Sequence, residues 1–232
     1  MINGKRVLAI TLARGGSSKI KKKNIIPICG KPLLHYTIDE VVKSKYIDRY
    51  FISTDDDEII NSSLEYGIDF FKRSKEFASD TAKSSDALIE VVNYVREPYY
   101  HYIVEIMCTN PLKTVEDIDG CIEKLDATGS DSVVSVCRVW DHHPSRLKYI
   151  ENDRLCDFYP EILESRRQNL FPPAYVRNGS IYAMTRESLL NTRCRIGKDV
   201  RPYIMPEERS INIDEPIDLI VAEQILNANK RI

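Results

Sequence analysis

A glycine turn surrounded by cations follows the first apolar segment of the chain. Gly15 and Gly16 allow a tight bend and leave successive backbone N–H groups uncovered, which suits close approach to a ligand. Arg14 precedes the glycines, and four lysines stand at positions 19 and 21–23. The spacing matches neither the P-loop pattern nor the dinucleotide fingerprint. We interpret the turn as a polyphosphate site, and the alternative is a basic surface loop that binds nothing.

A second group of cations and hydroxyls occupies residues 72–85, just before a predicted helix. The free N–H groups at a helix start favour anions and hydrogen-bond acceptors, so Arg73 and Ser84 are candidate ligand contacts. The alternative is plain capping, with Ser84 or Thr81 as the N-cap residue and Arg73 in solvent.

A third group lies near the carboxyl terminus. If residues 210–214 form a strand, alternation places Asn212 and Asp214 on one face, where both oxygens reach one hard cation. A polyphosphate usually arrives with Mg²⁺, which proteins hold through one or two carboxylates. We therefore expect Mg²⁺ here, with Mn²⁺ as a substitute. The alternative is that Asp214 caps a helix beginning at Pro216. None of the four histidines receives a catalytic role.

Short apolar runs alternate with helical patterns along most of the chain. The alternation implies βαβ units, and hence a three-layer α/β, mostly parallel, Rossmann-like sheet with helices on both faces. Ligands bind outside the carboxyl ends of such strands, where the glycine turn lies. The predicted strands are 7–12, 49–55, 68–71, 101–107, 131–137, 180–184, 203–205 and 210–214. The predicted helices are 32–45, 57–66, 84–96, 115–127, 186–191 and 216–228.

Residues 139–175 interrupt this alternation. The segment holds the single Trp140 and the adjacent pair His142 and His143, and it is too long and too apolar for a simple loop. We expect it to pack against a partner subunit. The domain prediction is therefore an α/β domain of residues 1–138 and 176–232, with 139–175 as an inserted dimerisation arm.

The bulk properties restrict the class of protein. A net charge of −2 over 232 residues argues against a dedicated nucleic-acid binder. No apolar run approaches the roughly 18–20 residues that span a bilayer, so we expect no membrane partner. The six cysteines are scattered without a C-x-x-C pair, and the start leads into the first strand without a signal-peptide pattern. These features predict a cytoplasmic protein with reduced thiols.

The motifs, taken in order, resemble those of the acylneuraminate cytidylyltransferases, or CMP-sialic acid synthetases, and so imply a nucleotidyltransferase-type sheet. The resemblance begins with the Leu-Ala-Arg-Gly-Gly-Ser run and spans nearly the whole chain. It rests on residues 12–17, 23–24, 30–33, 53–56, 73, 78–82, 109–112, 167–168, 178–182 and 212–216.

The resemblance implies a reaction between CTP and a 2-keto-3-deoxy nonulosonic acid that gives a CMP-sugar and pyrophosphate. The anomeric hydroxyl of the sugar would attack the α-phosphorus in line, and the enzyme would position the substrates and neutralise charge. Members of the family are homodimers with crossing arms, and the reaction would serve polysaccharide biosynthesis.

The same resemblance implies roles for individual residues. Arg14, Lys23 and the Gly15–Gly16–Ser17 turn would bind the triphosphate. Cytidine contacts fall to Asn24, Arg73 and Ser84, whose types suit the polar edge of cytosine. Asn178 and Tyr182 would line the acid-sugar pocket, Arg167 and Gln168 would come from the dimer-forming segment, and Asp214 would ligate Mg²⁺ with Asn212.

The chain departs from the family pattern at four places. Residues 18–21 replace the usual Lys-Gly-Ile-Pro, Met107 replaces a sugar-contacting Gln, Val176 replaces an Arg, and Asn212 replaces the first of two aspartates. A neuraminic, legionaminic or pseudaminic acid therefore fits as the acceptor. The alternatives are another sugar nucleotidyltransferase, such as a Kdo-type cytidylyltransferase, or a non-catalytic nucleotide-binding protein that has kept the fold.

Overall fold

The computed structural model describes residues 1–17, 19–79, 81–161 and 165–229. The predictions that involve Ser18 and Asp80 lie outside the described residues, as do those parts of the predicted arm and carboxyl terminus that fall on 162–164 and 230–232.

The regular elements follow the predicted alternation closely. The strands are β1 (Val7–Leu12), β2 (Pro27–Ile28), β3 (Lys31–Pro32), β4 (Ile47–Thr54), β5 (Asp69–Lys72), β6 (Tyr102–Ile106), β7 (Ser132–Val139), β8 (Lys148–Glu151), β9 (Arg154–Asp157), β10 (Ala174–Thr185) and β11 (Val200–Ile204). The helices are α1 (Leu33–Val41), α2 (Asp57–Leu64), α3 (Ser84–Tyr94), α4 (Val115–Thr128), α5 (Arg186–Thr192) and α6 (Pro216–Asn229).

Seven of the described strands form one sheet in the order β11–β7–β10–β6–β1–β4–β5. All neighbouring pairs are parallel except those of β10, which is antiparallel to both β6 and β7. Ile181 in β10 pairs with Ile106 at the end of β6. The first half of β10 therefore extends beyond the carboxyl end of β6, where it pairs with the second half of β7 at the edge where this class of sheet binds ligands.

The two faces of the sheet carry separate apolar clusters, which confirms the three-layer architecture. In β1, Val7 and Ala9 join a cluster with α1, α2 and α4, whereas Leu8 and Ile10 join a cluster with α3 and α5. All four side chains are fully buried. A strand covered on both faces is apolar throughout, which explains the continuous apolar run of residues 7–12.

The predicted strand at residues 210–214 is wrong. The segment has no regular secondary structure and lies in no β-ladder, and Ile213 N–H donates instead to Thr109 O at 2.8 Å. Ile213 belongs to a third apolar cluster, in which Ala222 of α6 packs against Ile20, Ile28 and Leu33. The apolar alternation therefore serves a small core beneath α6 and the residues after the glycine turn.

The arm contains an antiparallel hairpin of β8 and β9 and large exposed apolar side chains. Ile150, Leu155 and Phe171 are 76%, 71% and 86% exposed. Among the described residues, no helix has the length and apolarity that crossing a membrane requires.

Candidate functional site

A cavity of about 470 Å³ opens beyond the carboxyl end of β1. Its walls carry five cationic side chains (Arg14, Lys19, Lys23, Arg73 and Lys83) and two carboxylates (Glu105 and Asp214). Eight of the sequence-predicted site residues line it: Arg14, Gly16, Ser17, Lys23, Asn24, Arg73, Ser84 and Asp214. Residues up to 200 positions apart thus meet in one electropositive cavity, which suits a polyanionic ligand.

The two glycines of the turn have different surroundings. Gly15 N–H donates to Asp55 Oδ1 at 2.9 Å, and a Cβ at Gly15 would lie 2.5 Å from Asp56 Oδ2 and 2.7 Å from Asp56 Cβ. A Cβ at Gly16 would have no neighbour within 4 Å among the described residues. Packing against the start of α2 therefore requires Gly15, whereas Gly16 lines the cavity and leaves its backbone open to a ligand.

Asn24 fixes the shape of the turn from within. Its side chain is buried, its Nδ2 donates to Arg14 O at 2.8 Å, and its Oδ1 accepts from Cys108 Sγ at 3.1 Å. The amide therefore ties the loop after β1 to the loop after β6. Its predicted contact with cytidine stays a prediction.

Arg73 is anchored at the end of β4 and does not extend into solvent. The side chain is 6% exposed, and it donates from Nη2 to Ser53 O at 2.6 Å and from Nε to Ser53 Oγ at 3.1 Å. Burial lowers the pKa of Arg73, while the negative charges of Asp55 and Glu105 act in the opposite direction. The guanidinium is thus held in a fixed orientation at the cavity wall.

Plain capping by Ser84 or Thr81 is wrong. Ser84 is the first residue of α3 rather than its N-cap, and Lys83 in the N-cap position makes no side-chain capping bond in the described structure. Lys83 and Ser84 both line the cavity. The start of α3 therefore presents backbone N–H groups and a hydroxyl toward the ligand space, an arrangement that favours anions and acceptors.

Asp214 faces the cavity and is not the cap of α6. At the start of α6 it is Asp218, the third helical residue, whose Oδ2 accepts from the preceding backbone, from Asp214 N at 2.9 Å and from Glu215 N at 2.7 Å. The Asp214 carboxylate instead accepts from Lys23 Nζ at 2.8 Å and from Asn212 Nδ2 at 2.5 Å.

These donors determine how a metal could be held. No group of three or more His, Cys, Asp and Glu side chains is arranged for a metal among the described residues. The Asp214 side chain is 56% exposed at the cavity. It fits a common Mg²⁺ site, in which one protein carboxylate binds the ion and the phosphates of the substrate provide further ligands. Asn212 directs its amide nitrogen toward Asp214, and its Oδ1 is buried with no partner in the described structure. Its role as a metal ligand stays a prediction that this arrangement does not favour.

A second cavity, of about 310 Å³, lies beside the first. Asn178 and Tyr182 line it, as predicted for the acceptor pocket, together with Arg177, Arg195 and Asn212. Two direct contacts connect it to the first cavity: Asn212 to Asp214 at 2.5 Å and Arg195 to Glu105 at 2.8 Å.

Asn178 is fixed by its neighbours at the point where the pairing of β10 shifts register. It is 4% exposed, accepts from Ser135 Oγ at 2.7 Å and donates to Ser210 Oγ at 2.8 Å. Gly179 follows it with a φ of +63°, a backbone conformation that favours glycine.

Arg167 and Gln168 are not brought to either of these cavities. They line a separate cavity of about 560 Å³ with Trp140 and Asp141, and Arg167 Nη1 donates to Asp141 Oδ2 at 3.2 Å. Within one chain, the described part of the arm therefore contributes no lining residue to either cavity.

Three charged residues at or beneath the site did not emerge from sequence reasoning. Glu105 and Arg195 form a largely buried ion pair, with side chains 2% and 25% exposed. Lys113 is fully buried; its Nζ donates to Thr37 Oγ1 at 2.8 Å, to Met107 O at 2.9 Å and to Asn110 O, and burial lowers the pKa of Lys113 to about 7. Glu105 had one available signal, because it is a lone charge within the apolar run of residues 102–106.

Comparisons with known proteins give a consistent family. The family model described as Cytidylyltransferase matches residues 8–187, which is more than half of the 232-residue chain. N-acylneuraminate cytidylyltransferase A of Danio rerio is 34% identical over 224 residues, covering 95% of this chain and 50% of that protein. Pseudaminic acid cytidylyltransferase of Campylobacter jejuni is 30% identical over 227 residues, covering 96% of this chain and 97% of that protein.

The chain therefore spans about half the length of the Danio rerio relative and nearly all of the Campylobacter jejuni one. A solved structure of CMP:2-keto-3-deoxy-manno-octonic acid synthetase complexed with CTP has a TM-score of 0.73 at 16% identity, covering 97% of this chain and 100% of that chain. At that identity the likeness supports the fold alone.

Proposed function

We propose that this chain, which belongs to the cytidylyltransferase family, transfers CMP from CTP to a 2-keto-3-deoxy nonulosonic acid and releases pyrophosphate. The observation that carries the proposal is the electropositive cavity at the end of β1, next to the cavity that holds Asn178 and Tyr182. The first cavity suits a nucleoside triphosphate, and the second suits a polar acceptor within reach of it.

Each element of the first cavity has a role in positioning CTP. Arg14 and Lys23 provide charge for the phosphates, and the open backbone at Gly16 and Ser17 provides N–H donors. The anchored Arg73 and the start of α3 at Ser84 lie on the wall that would take the nucleoside. Arg73 is held by Ser53 before substrate arrives, so little reorganisation of this guanidinium is required in the transition state.

The transfer consists of one substitution at phosphorus. The anomeric hydroxyl of the acceptor attacks the α-phosphorus, the bond to the β-phosphate oxygen breaks, and pyrophosphate leaves with that electron pair. The hydroxyl proton passes to solvent or to a phosphate oxygen. The cations of Arg14 and Lys23 stabilise the negative charge that accumulates on the leaving group.

We propose Mg²⁺ as the cofactor, with Mn²⁺ as a substitute, held by Asp214 and by the phosphates of the substrate. The exposed carboxylate at the cavity supports this choice. Bound there, the ion would neutralise phosphate charge.

We propose a homodimer in which the arm of one subunit approaches the site of its partner. The exposed Ile150, Leu155 and Phe171 support an interface on the arm, because such side chains are usually covered. Arg167 and Gln168 would then approach the partner's acceptor cavity rather than their own. A cytoplasmic location stays a prediction from the scattered cysteines.

The acceptor is proposed only as a class, and neuraminic, legionaminic and pseudaminic acids all fit it. The Kdo-type alternative rests on no observation beyond a shared fold. The non-catalytic alternative keeps its support from Met107 and Asn212, which depart from the family pattern.

The deciding experiment incubates the protein with CTP, Mg²⁺ or Mn²⁺ and a panel of nonulosonic acids and Kdo, and measures pyrophosphate and CMP-sugar. We expect pyrophosphate only when a nonulosonic acid is present. Turnover of Kdo alone would select the first alternative. CTP binding without turnover of any acid would select the second.

A further inference from the structure

Glu105 is a buried carboxylate that lines the first cavity and pairs with Arg195, which lines the second. It lies next to the carboxyl end of β6, opposite Tyr182 of the antiparallel β10, and its side chain is only 2% exposed. It lines the first cavity, where its negative charge favours the charged form of Arg73. A buried carboxylate is costly unless it is paired, so its partner is specified by the fold.

That partner is Arg195, from the segment between α5 and β11. Its Nη1 donates to Glu105 Oε2 at 2.8 Å, and its guanidinium carbon lies 4.3 Å from the centre of the Tyr182 ring. One edge of the guanidinium is thus bound to a carboxylate, and one face is packed on an aromatic ring. These two contacts fix its plane.

The remaining edge of Arg195 faces the second cavity. A guanidinium has five N–H donors, and one of them makes the hydrogen bond to Glu105 in the described structure. Arg195 is 25% exposed and lines this cavity with Asn178 and Tyr182. An oxygen of a molecule in that cavity can therefore take an oriented, charge-assisted hydrogen bond from it.

We propose that Arg195 is a specificity-determining residue that donates hydrogen bonds to an oxygen of the acceptor sugar, and that Glu105 positions it. The inference rests on the proposed function, because it requires the second cavity to hold the acceptor. The chemistry selected is an oxygen acceptor, which is either the carboxylate of the acid or the oxygen of another substituent.

The experiment compares steady-state kinetics of the full-length wild type, Arg195→Gln and Arg195→Lys. Because Arg195→Gln leaves Glu105 buried and unpaired, the double variant Glu105→Gln with Arg195→Gln is included to preserve folding. The matched control is Arg193→Gln, which removes an exposed arginine two positions away that pairs with Asp86 on the surface. Substrates are CTP and the best acid of the panel, starting with N-acetylneuraminic acid, each acid also tested as its methyl ester.

We expect the KM for the acid to rise about 10–100-fold in both Arg195→Gln and the double variant, since a hydrogen bond from a charged group is lost. In Arg195→Gln the KM for CTP should stay within about twofold, a separation that general loss of structure would not produce. Arg195→Lys should recover little, because an ammonium lacks the planar fork. Arg193→Gln should match the wild type.

The ester comparison identifies the oxygen. If the wild type prefers the acid and Arg195→Gln loses that preference, the oxygen belongs to the carboxylate; if the preference persists while KM rises, it belongs to another substituent. An unchanged acceptor KM in the double variant, or equal effects on CTP and acceptor in Arg195→Gln, would overturn the inference while leaving the proposed function standing. A wild type that turns over no acid overturns both.

Discussion

Adding one methyl group at each glycine of the turn should separate packing from ligand binding. At Gly15 the new Cβ would lie 2.7 Å from Asp56 Cβ, so relief requires movement of the Asp56 backbone rather than a side-chain rotation. Asp56 caps α2 by accepting from the backbone N–H groups of Glu58 and Ile59, and that movement weakens both bonds. A Cβ added at Gly16 would have no neighbour within 4 Å among the described residues.

These contacts set the expected change in the free energy of unfolding for each variant. Overpacking of a well-packed site costs about 1–3 kcal/mol, and loss of a helix cap costs about 1 kcal/mol. Gly15→Ala should therefore reduce the free energy of unfolding by about 1–3 kcal/mol, which lowers Tm by about 2–12 °C in a domain of this size. Gly16→Ala should be neutral or more stable by about 0.4–1 kcal/mol, because Ala restricts the unfolded chain.

The assay is urea unfolding of both variants without nucleotide, followed by calorimetric titration with CTP and Mg²⁺. Gly16→Ala should keep its stability and bind CTP at least about tenfold more weakly, because its methyl group occupies the space above the backbone donors. Equal stability of Gly15→Ala and the wild type would refute the packing argument. Undiminished CTP binding by Gly16→Ala would refute the phosphate role of this backbone.

Three further predictions concern single side chains. Asp214→Ala should abolish turnover without changing the unfolding midpoint, as measured by pyrophosphate release and urea unfolding, and retained activity would remove Asp214 from the metal site. Arg73→Ala should weaken CTP binding by about 1.5–3 kcal/mol in calorimetry, the value of a hydrogen bond to a charged group, and an unchanged affinity would reject its role. Burial lowers the pKa of Lys113 to about 7, so the unfolded state binds more protons between pH 7 and its ordinary value of 10.5. Wild-type stability should consequently rise with pH across that window by a few kcal/mol relative to Lys113→Met, on the order of 1.4 kcal/mol per pKa unit, and a gap constant with pH would show that Lys113 stays charged.

Local patterns were sufficient to predict most of the fold. Residues 7–12 are apolar throughout because the strand is covered on both faces, and the helical stripe that begins at Leu33 is apolar because it packs against the sheet. Both patterns involve residues that are close together in sequence, so they can be recognised without knowledge of the tertiary structure. The segment 210–214 shows the limit of that reasoning. Its apolar alternation is real, but Ile213 is buried under α6 and its N–H bonds to Thr109, so the pattern marks a buried coil rather than a strand.

The residues of the candidate site also fall into two groups, those that the sequence identifies and those that only the structure shows. Arg14, Lys23 and Arg73 were identified because their types and their places beside strand ends are visible in sequence, and the structure places all three on one cavity. The pair of Glu105 and Arg195 joins residues 90 positions apart, and neither belongs to a local motif. Such a contact depends on which strands are neighbours, and the antiparallel insertion of β10 beside β6 cannot be read from periodicity.

The ion pair between Lys23 and Asp214 would link nucleotide binding to metal binding if Asp214 holds the proposed Mg²⁺. Without substrate the two charges compensate each other at 2.8 Å, so a divalent cation at Asp214 would have to approach a carboxylate already engaged by an ammonium. CTP changes this balance, because its phosphates offer Lys23 a more highly charged partner and offer the metal additional oxygen ligands. The geometry therefore favours arrival of the ion together with the triphosphate over a metal site formed in advance. A single aspartate beside Asn212 would be sufficient for that order of assembly, since most of the ligands would come from the substrate and water.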